Sequence, residues 1–402
     1  MFIRDLRRHA RPIFIVSLLS LALAGCGGGS SGGSTSAGLS ITSFSPASGD
    51  PGSLVTITGT GFPTSQVEVR FGLTVMPIVS VTSTQMVVQV PTGQPDTTDN
   101  LTVETNTALA TSAQQFSLYN DLYNVTVTPS TSFFAPSKFL AVGQNSTILT
   151  SSDGISWTEA GFLNEGNFNA VTASGGTVVI VGDGTIFSQT STAGMLKRHS
   201  PTTQRLFSVT QSSTAFVAVG DNGTIIESPD GITWTKDSSP TTQPIISVVW
   251  AASQSQFVAC GQNGVILNST DGINWTLEPL SPVGTSTLVS IAFGSGTYVI
   301  VGGSGTVISS TDGSTWIKES APAIVDSEGV FWSGTQFVVA ADNSTMMTSP
   351  DGVNWTAQSL DLPNLPYLGS TAIKGGTYVT VGQTGTVVSS IDATHWTLRR
   401  GG

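Results

Sequence analysis

Six tryptophans, Trp157, Trp234, Trp275, Trp316, Trp355 and Trp396, stand 77, 41, 41, 39 and 41 residues apart. Such spacing marks a unit of about 40 residues that is repeated along the chain. The first gap is two periods long. Phe168–His199 fills it with a copy that lacks the tryptophan but keeps Val178-Val179-Ile180-Val181-Gly182 and Gly184-Thr185-Ile186 in place. Seven copies then occupy residues 120–400, each about as long as a four-stranded propeller blade.

One copy shows the plan. Leu206-Phe207-Ser208-Val209 reads as an innermost strand and Phe216-Val217-Ala218-Val219-Gly220 as the second, a nearly unbroken apolar run suited to burial between neighbouring blades. Asp221-Asn222-Gly223 forms a tight turn, since Asn-Gly tolerates positive φ. Thr224–Ser228 is the third strand, and Ser228–Trp234 turns into the fourth. Nowhere does an apolar period of 3.6 residues appear, which excludes a helical solenoid. Only Thr397–Gly402 follow Trp396, and no strand is evident for exchange between the ends. Packing of the first blade on the last is then one way for the ring to close, and the sequence does not choose it.

The turn Ser-x-Asp-Gly-x-x-Trp recurs at Ser151–Trp157, Ser228–Trp234, Ser269–Trp275, Ser310–Trp316 and Ser349–Trp355, and at Ser390–Trp396 with Ala393 in place of glycine. Asp153, Asp230, Asp271, Asp312, Asp351 and Asp392 invite a catalytic or metal-binding reading. Tight-turn chemistry gives a better one. An aspartate there accepts backbone N–H bonds, the next residue needs a permissive backbone, and the tryptophan three positions later buries a large ring. One per blade, on the periphery, these acids lie too far apart for the roughly 5–10 Å pairing of glycoside hydrolysis. The turns resemble the Asp-box of sialidase-type (BNR) propellers. With the Val-Gly-x-x-Gly-Thr segments, the array is more similar still to photosystem II assembly-factor-like propellers. The sialidase resemblance implies a carboxylate-binding arginine triad drawn from separate blades. Beyond residue 25, however, the arginines are Arg70, Arg198, Arg205, Arg399 and Arg400, and their placement assembles none. The assembly-factor resemblance implies a protein-binding scaffold with a basic patch, for which comparable arginines are again lacking.

Upstream, Arg4, Arg7, Arg8 and Arg11 precede the apolar run Pro12–Ala24, too short for the roughly 20 residues of a membrane span but suited to a secretory segment. Leu23-Ala24-Gly25-Cys26 resembles the lipobox of bacterial lipoproteins, which implies diacylation of Cys26. Residues 1–25 are then a signal peptide, and 26–38 a flexible Gly/Ser tether. Gly27, not aspartate, follows the cysteine, so an outer-membrane or cell-surface location is expected. Residues 39–118 alternate apolar and polar positions in short runs: Val55-Thr56-Ile57-Thr58-Gly59-Thr60-Gly61-Phe62, then Val67-Glu68-Val69-Arg70-Phe71-Gly72, then Met86–Pro91. This order resembles the IPT/TIG immunoglobulin-like domains, with Leu73 where a second glycine is expected. The resemblance implies a spacer or adhesive unit. The fold class is thus all-β: an immunoglobulin-like sandwich, then a seven-bladed propeller.

Composition bounds the function. Loss of residues 1–25 leaves 10 basic and 24 acidic side chains, a net charge of −14. That field repels phosphate backbones, and nucleic acid is excluded as a partner. His199 and His395 are too few for a metal centre, and Cys260 reads as a small buried hydrophobe. The Gly28–Gly32 match to Gly-x-Ser-x-Gly lies in the tether, away from any strand or helix. No catalytic residue, metal or cofactor is expected. What remains is a binding surface built from the connections between blades: Thr158–Asn167, Asp237–Gln243, Glu278–Ser286, Glu319–Glu328 and Gln358–Tyr367. They carry exposed-looking Phe162, Leu163, Leu362, Leu365 and Tyr367. The sequence predicts a lipid-anchored scaffold that presents this face to a protein or glycan. The alternative is a carbohydrate-active enzyme or carbohydrate-binding protein of the Asp-box class.

Overall fold

The computed structural model describes residues 38–128, 139–161, 165–190, 193–279, 282–322, 327–341, 345–359, 362 and 367–401. Cys26, the signal segment and nearly all of the tether lie outside them, as do Phe162, Leu163 and Leu365. Strands dominate, and among the described residues no helix is long and apolar enough to cross a membrane.

Residues 40–118 form two stacked sheets. One runs in the order Ser40–Ser45, Leu54–Thr60, Gln85–Gln89, Ile78–Val81. The other runs Ser48–Gly49, Leu109–Leu118, Thr97–Thr105, Val67–Phe71, Thr74–Met76, with its first pair parallel. Alternation sends Val55, Ile57, Val69, Phe71 and Val103 into one shared core. Phe116 sits at its centre, with its ring edge-on to Phe71 at 5.5 Å. Gly72 takes a φ of +57° in the hairpin before Thr74–Met76, and Leu73 beside it is 95% exposed. The departure from the family pattern therefore changes a turn and leaves the core untouched.

Seven consecutive four-stranded antiparallel sheets follow, each a simple meander of adjacent strands. Their innermost strands are Leu122–Val127, Phe168–Ser174, Leu206–Gln211, Ile245–Ala251, Leu288–Gly294, Ser327–Trp332 and Leu368–Lys374. The second strands explain the ring. Along Phe216–Gly220 every residue is buried, because successive side chains point to opposite neighbours. Phe216 and Ala218 pack with Val179 and Val181 of the second sheet, whereas Val217 and Val219 pack with Ala259 and Leu267 of the fourth. Seven such apolar clusters join the sheets in turn. The last one sets Ala372, Val379 and Val381 of the seventh sheet against Leu122, Val125 and Phe139 of the first. Among the described residues no strand is exchanged between these two sheets, and apolar packing joins them.

The glycine ending most second strands carries a close backbone crossing that no local motif announces. A Cβ on Gly220 would stand 1.9 Å from the carbonyl oxygen of Arg205, and one on Gly261 2.1 Å from that of Pro244. The chain entering each blade crosses this glycine at backbone contact. That approach lets Asp221 and Gln262 donate their N–H groups to the same two carbonyls, at 2.9 and 3.0 Å.

Candidate functional site

A meander of four strands has two unlike ends. The inter-blade connection and the turn between second and third strands share one end; the first hairpin and the Asp-bearing turn share the other. The structure therefore separates the recurring aspartates from the connections.

At the aspartate end the six turns are nearly superimposable in their bonding. In the fourth sheet, Oδ1 of Asp271 accepts the N–H of Ile273 at 2.9 Å and of Asn274 at 2.8 Å. Ser269 donates its hydroxyl to that oxygen and accepts the N–H of Gly272. Gly272 adopts a φ of +80° and lies on Val217 of the preceding sheet. Trp275 donates Nε1–H to the Gly272 carbonyl at 2.8 Å and sets its ring 6.2 Å from that of Phe257. The same bonds recur around Asp153, Asp230, Asp312, Asp351 and Asp392. Trp234, Trp275 and Trp396 are buried, and Trp157, Trp316 and Trp355 half-buried. Trp157 departs from the others in that its Nε1 is buried without a partner. Ala393, in the glycine position of the last copy, is held at a φ of +63° and fully buried against Trp396.

These bonds fix the protonation state. The N–H groups of Thr315 and Ser314 hold Asp312 down at about 2. For Asp271 the Asn274 side-chain amide is the largest influence, ahead of the backbone, and the carboxyl falls well below its usual range. The backbone N–H of the third residue after the acid does most of this at Asp153, Asp351 and Asp392. At Asp230 burial opposes the shift, and the N–H groups of Thr233 and Ile232 overcome it. Each carboxylate is ionised and saturated by its own turn, a poor general acid or base. Among the described residues no three His, Cys, Asp or Glu side chains gather as metal ligands. Burial raises the thiol pKa of Cys260 within the second strand of the fourth sheet. His199 and His395 are exposed.

The arginines are dispersed and engaged. Arg70 pairs with Glu68 in the sandwich, and Arg205 with Asp183 at 3.1 Å. Arg198 and Arg399 donate Nε–H to Ser188 and Ser389, both at 2.7 Å. Arg400 pairs with Asp96 of the sandwich.

Around the axis, a small side chain on one inner strand caps the next. The hydroxyls of Ser208, Ser247, Ser290 and Ser370 accept the N–H groups of Val248, Ile291, Val330 and Val125, at 3.1–3.4 Å. The Asn124 side-chain carbonyl does the same for Val171 at 3.1 Å. Ala170 and Gly329 interrupt the girdle; beside Ala170, Asn169 donates to the Leu206 carbonyl instead, at 2.9 Å.

At the connection end, rigid turns carry side-chain amides. Asn145, Asn222 and Asn263 take φ values of 53–55° and reach back to the chain entering their own blade. Their Nδ2 groups donate to Asn120, Gln204 and Gln243 at 2.6–2.7 Å. Asp183 accepts from both Asn167 and Asn169. Burial raises Asp221, with Arg205 opposing the shift. This end offers hydrogen-bonding amides and carboxylates on a fixed backbone, an arrangement for recognition. One expectation fails: Leu362, read as exposed, is half-buried against the cluster between the sixth and seventh sheets, because an apolar side chain in a connection folds back over the blades. Tyr367 is also half-buried.

Together the fold and these turns define a class: an immunoglobulin-like sandwich joined to a β-propeller. Residues 39–118 match the family described as IPT/TIG domain, and residues 166–283 the one described as DUF6242 beta propeller domain, spanning the second to fourth sheets. No curated protein matches the chain significantly. Solved structures do. YCF48 from Cyanidioschyzon merolae is 17% identical with a TM-score of 0.54, over 67% of this chain and 95% of that one. YCF48 bound to D1 peptide gives 14%, 0.54, 67% and 91%. The computationally designed Ika8 protein gives 12%, 0.52, 71% and 87%. At such identities the likeness is one of fold.

Proposed function

We propose that this chain is a lipid-anchored scaffold of the bacterial cell envelope, tethered through Cys26 at the outer membrane or cell surface, whose propeller binds a protein through its connection end. One observation carries the reading. The recurring carboxylates at one end are saturated by their own turns, while the opposite end sets exposed amides such as Asn222 and Asn263 on rigid turns. The recurrent turn is of the Asp-box kind, acting as a fastener. YCF48, a propeller of similar fold solved with D1 peptide bound, lends the protein-binding reading support. Carbohydrate chemistry finds less support, since the box carboxylates sit one to a sheet.

A site-specific photo-crosslinker tests the face. Exposed Thr242 lies in the connection before the inner strand Ile245–Ala251, and exposed Ser253 in the hairpin after it. A crosslinker at Thr242, in envelope preparations, should capture a discrete protein that one at Ser253 does not. Capture from Ser253 alone, or binding confined to glycan arrays, would overturn the reading. Cys26→Ser should abolish lipid labelling and membrane retention; unchanged fractionation would refute the anchor.

A further inference from the structure

In a ring of seven sheets, six junctions are covered by continuous chain and one is not. That seam, between the seventh and first sheets, has apolar packing like the others, and the Val125 N–H donates to Ser370 there as at three other junctions. It also has a third participant. Arg400, on the outermost strand Thr397–Arg400 of the seventh sheet, pairs with Asp96 of the sandwich; their side chains are only 15% and 5% exposed. The same guanidinium donates to the Gly385 carbonyl at 3.3 Å and lies 4.6 Å from the ring centre of Tyr119.

Asp96 is tied in turn to the first sheet. Its Oδ1 accepts both the backbone and the side-chain N–H of Asn120, at 2.6 and 2.9 Å. The Asn120 carbonyl oxygen Oδ1 accepts from Asn145 of the first sheet at 2.7 Å, and its Nδ2 reaches the Gln94 carbonyl at 3.0 Å. One residue on, Asp121 accepts the N–H of Thr384 in the seventh sheet at 2.9 Å. A sandwich carboxylate thus bonds, directly or through one asparagine, to both sides of the seam. An ion pair this far from water, with Asp96 held by Asn120 and Arg400 by the Gly385 carbonyl, is well formed as a unit, and loss of either partner strands the other.

We propose that the sandwich is the clasp of the propeller ring, in addition to the spacer role its family resemblance implies. The Asp96–Arg400 pair locks the first sheet to the seventh, and the two domains move as one body. The last strand can make this bond only when the whole ring is assembled, so the clasp reports completion of the fold.

Hydrogen exchange on the full chain tests it. In Asp96→Asn and in Arg400→Met, amides of Leu122–Val127 and Leu368–Lys374 should exchange roughly a hundredfold faster, as expected for a severed buried pair. Those of Ile245–Ala251 and of the sandwich strand Leu54–Thr60 should keep their protection. The double variant should lose no more than the worse single one. Arg399→Met, which removes a neighbouring guanidinium that donates to Ser389 within its own sheet, should leave the seam unchanged. Asp96→Asn is nearly isosteric and lies outside the ring, so it remains informative should Arg400→Met not fold. Unaltered seam exchange in Asp96→Asn, or a loss spread evenly over all seven sheets, would overturn the clasp.

Discussion

The second and fourth sheets solve the same problem by different means. In the fourth, the outermost strand is only Thr276–Leu277, with two paired positions, and the turn before it is fastened by Asp271, Ser269 and Trp275. In the second, the fastener is absent and the outermost strand Ala193–Arg198 is three times as long. It pairs Ile186 with Arg198, Phe187 with Lys197, Ser188 with Leu196 and Thr190 with Ala193. An edge-on contact of Phe187 with Phe168 at 5.3 Å stands in for the tryptophan ring. In the second sheet a longer outer strand thus takes the place of the aspartate turn, although the sixth sheet keeps its Asp351 turn beside an outer strand that also pairs at four positions.

The largest test removes the fastener's apolar part. Trp275 is 9% exposed, and Trp275→Ala should destabilise the fold by about 3–5 kcal/mol in denaturant unfolding. A loss under about 1 kcal/mol would mean that strand pairing alone holds the fourth sheet, erasing its contrast with the second. A smaller effect of opposite sign is expected at Gln189, which occupies the serine position of the missing fastener. It is fully buried, and neither its amide oxygen nor its amide nitrogen has a partner among the described residues. Gln189→Leu keeps the volume and removes two stranded polar atoms, so stability should rise by about 1–2 kcal/mol. A fall would show that the amide is bonded in solution and that the second sheet is as fully fastened as the fourth.

How much of this the sequence discloses depends on whether the deciding force is local. The aspartate turn is legible because all its participants lie within seven residues, and each residue type has one task there. The apolar second strands are legible for a similar reason, since burial on both faces leaves no alternation. Contacts between distant segments are not. Arg400 reads as part of a tail, and its partner Asp96 lies 304 positions earlier with no pattern to pair them. The Ser208, Ser247, Ser290 and Ser370 girdle escapes notice because serine is common throughout and its bonds cross between blades. Gln189 is invisible as an anomaly until its burial is known.

The third and fourth sheets also differ at one pair of positions, ten residues apart across the two outer strands. In the fourth, Asn268 donates to Glu278; in the fifth, Ser309 donates to Glu319 at 2.6 Å. In the third the pair is Glu227 and Asp237, two acids with no donor between them. Asp237 Oδ2 is buried without a partner among the described residues. Burial first, and then the charges of Glu227 and Asp271, push this carboxyl from an ordinary 3.8 up to about 6. Because the folded value is the higher one, the group's contribution to stability is fully present below about pH 4. It is lost as pH rises through 6, where the fold must hold the charged form. Asp237→Asn supplies the donor that the fourth sheet has and removes the charge. It should leave stability nearly unchanged at pH 4 and raise it by about 1 kcal/mol at pH 7.5, a figure reduced for solvent screening at this half-exposed site. The measurement is unfolding free energy from pH 4 to 8, compared between wild type and variant. A gain that grows with pH and levels off above about 6.5 assigns the difference between the two sheets to one misplaced charge; a flat difference would place Asp237 in water, with nothing to distinguish it from Glu278.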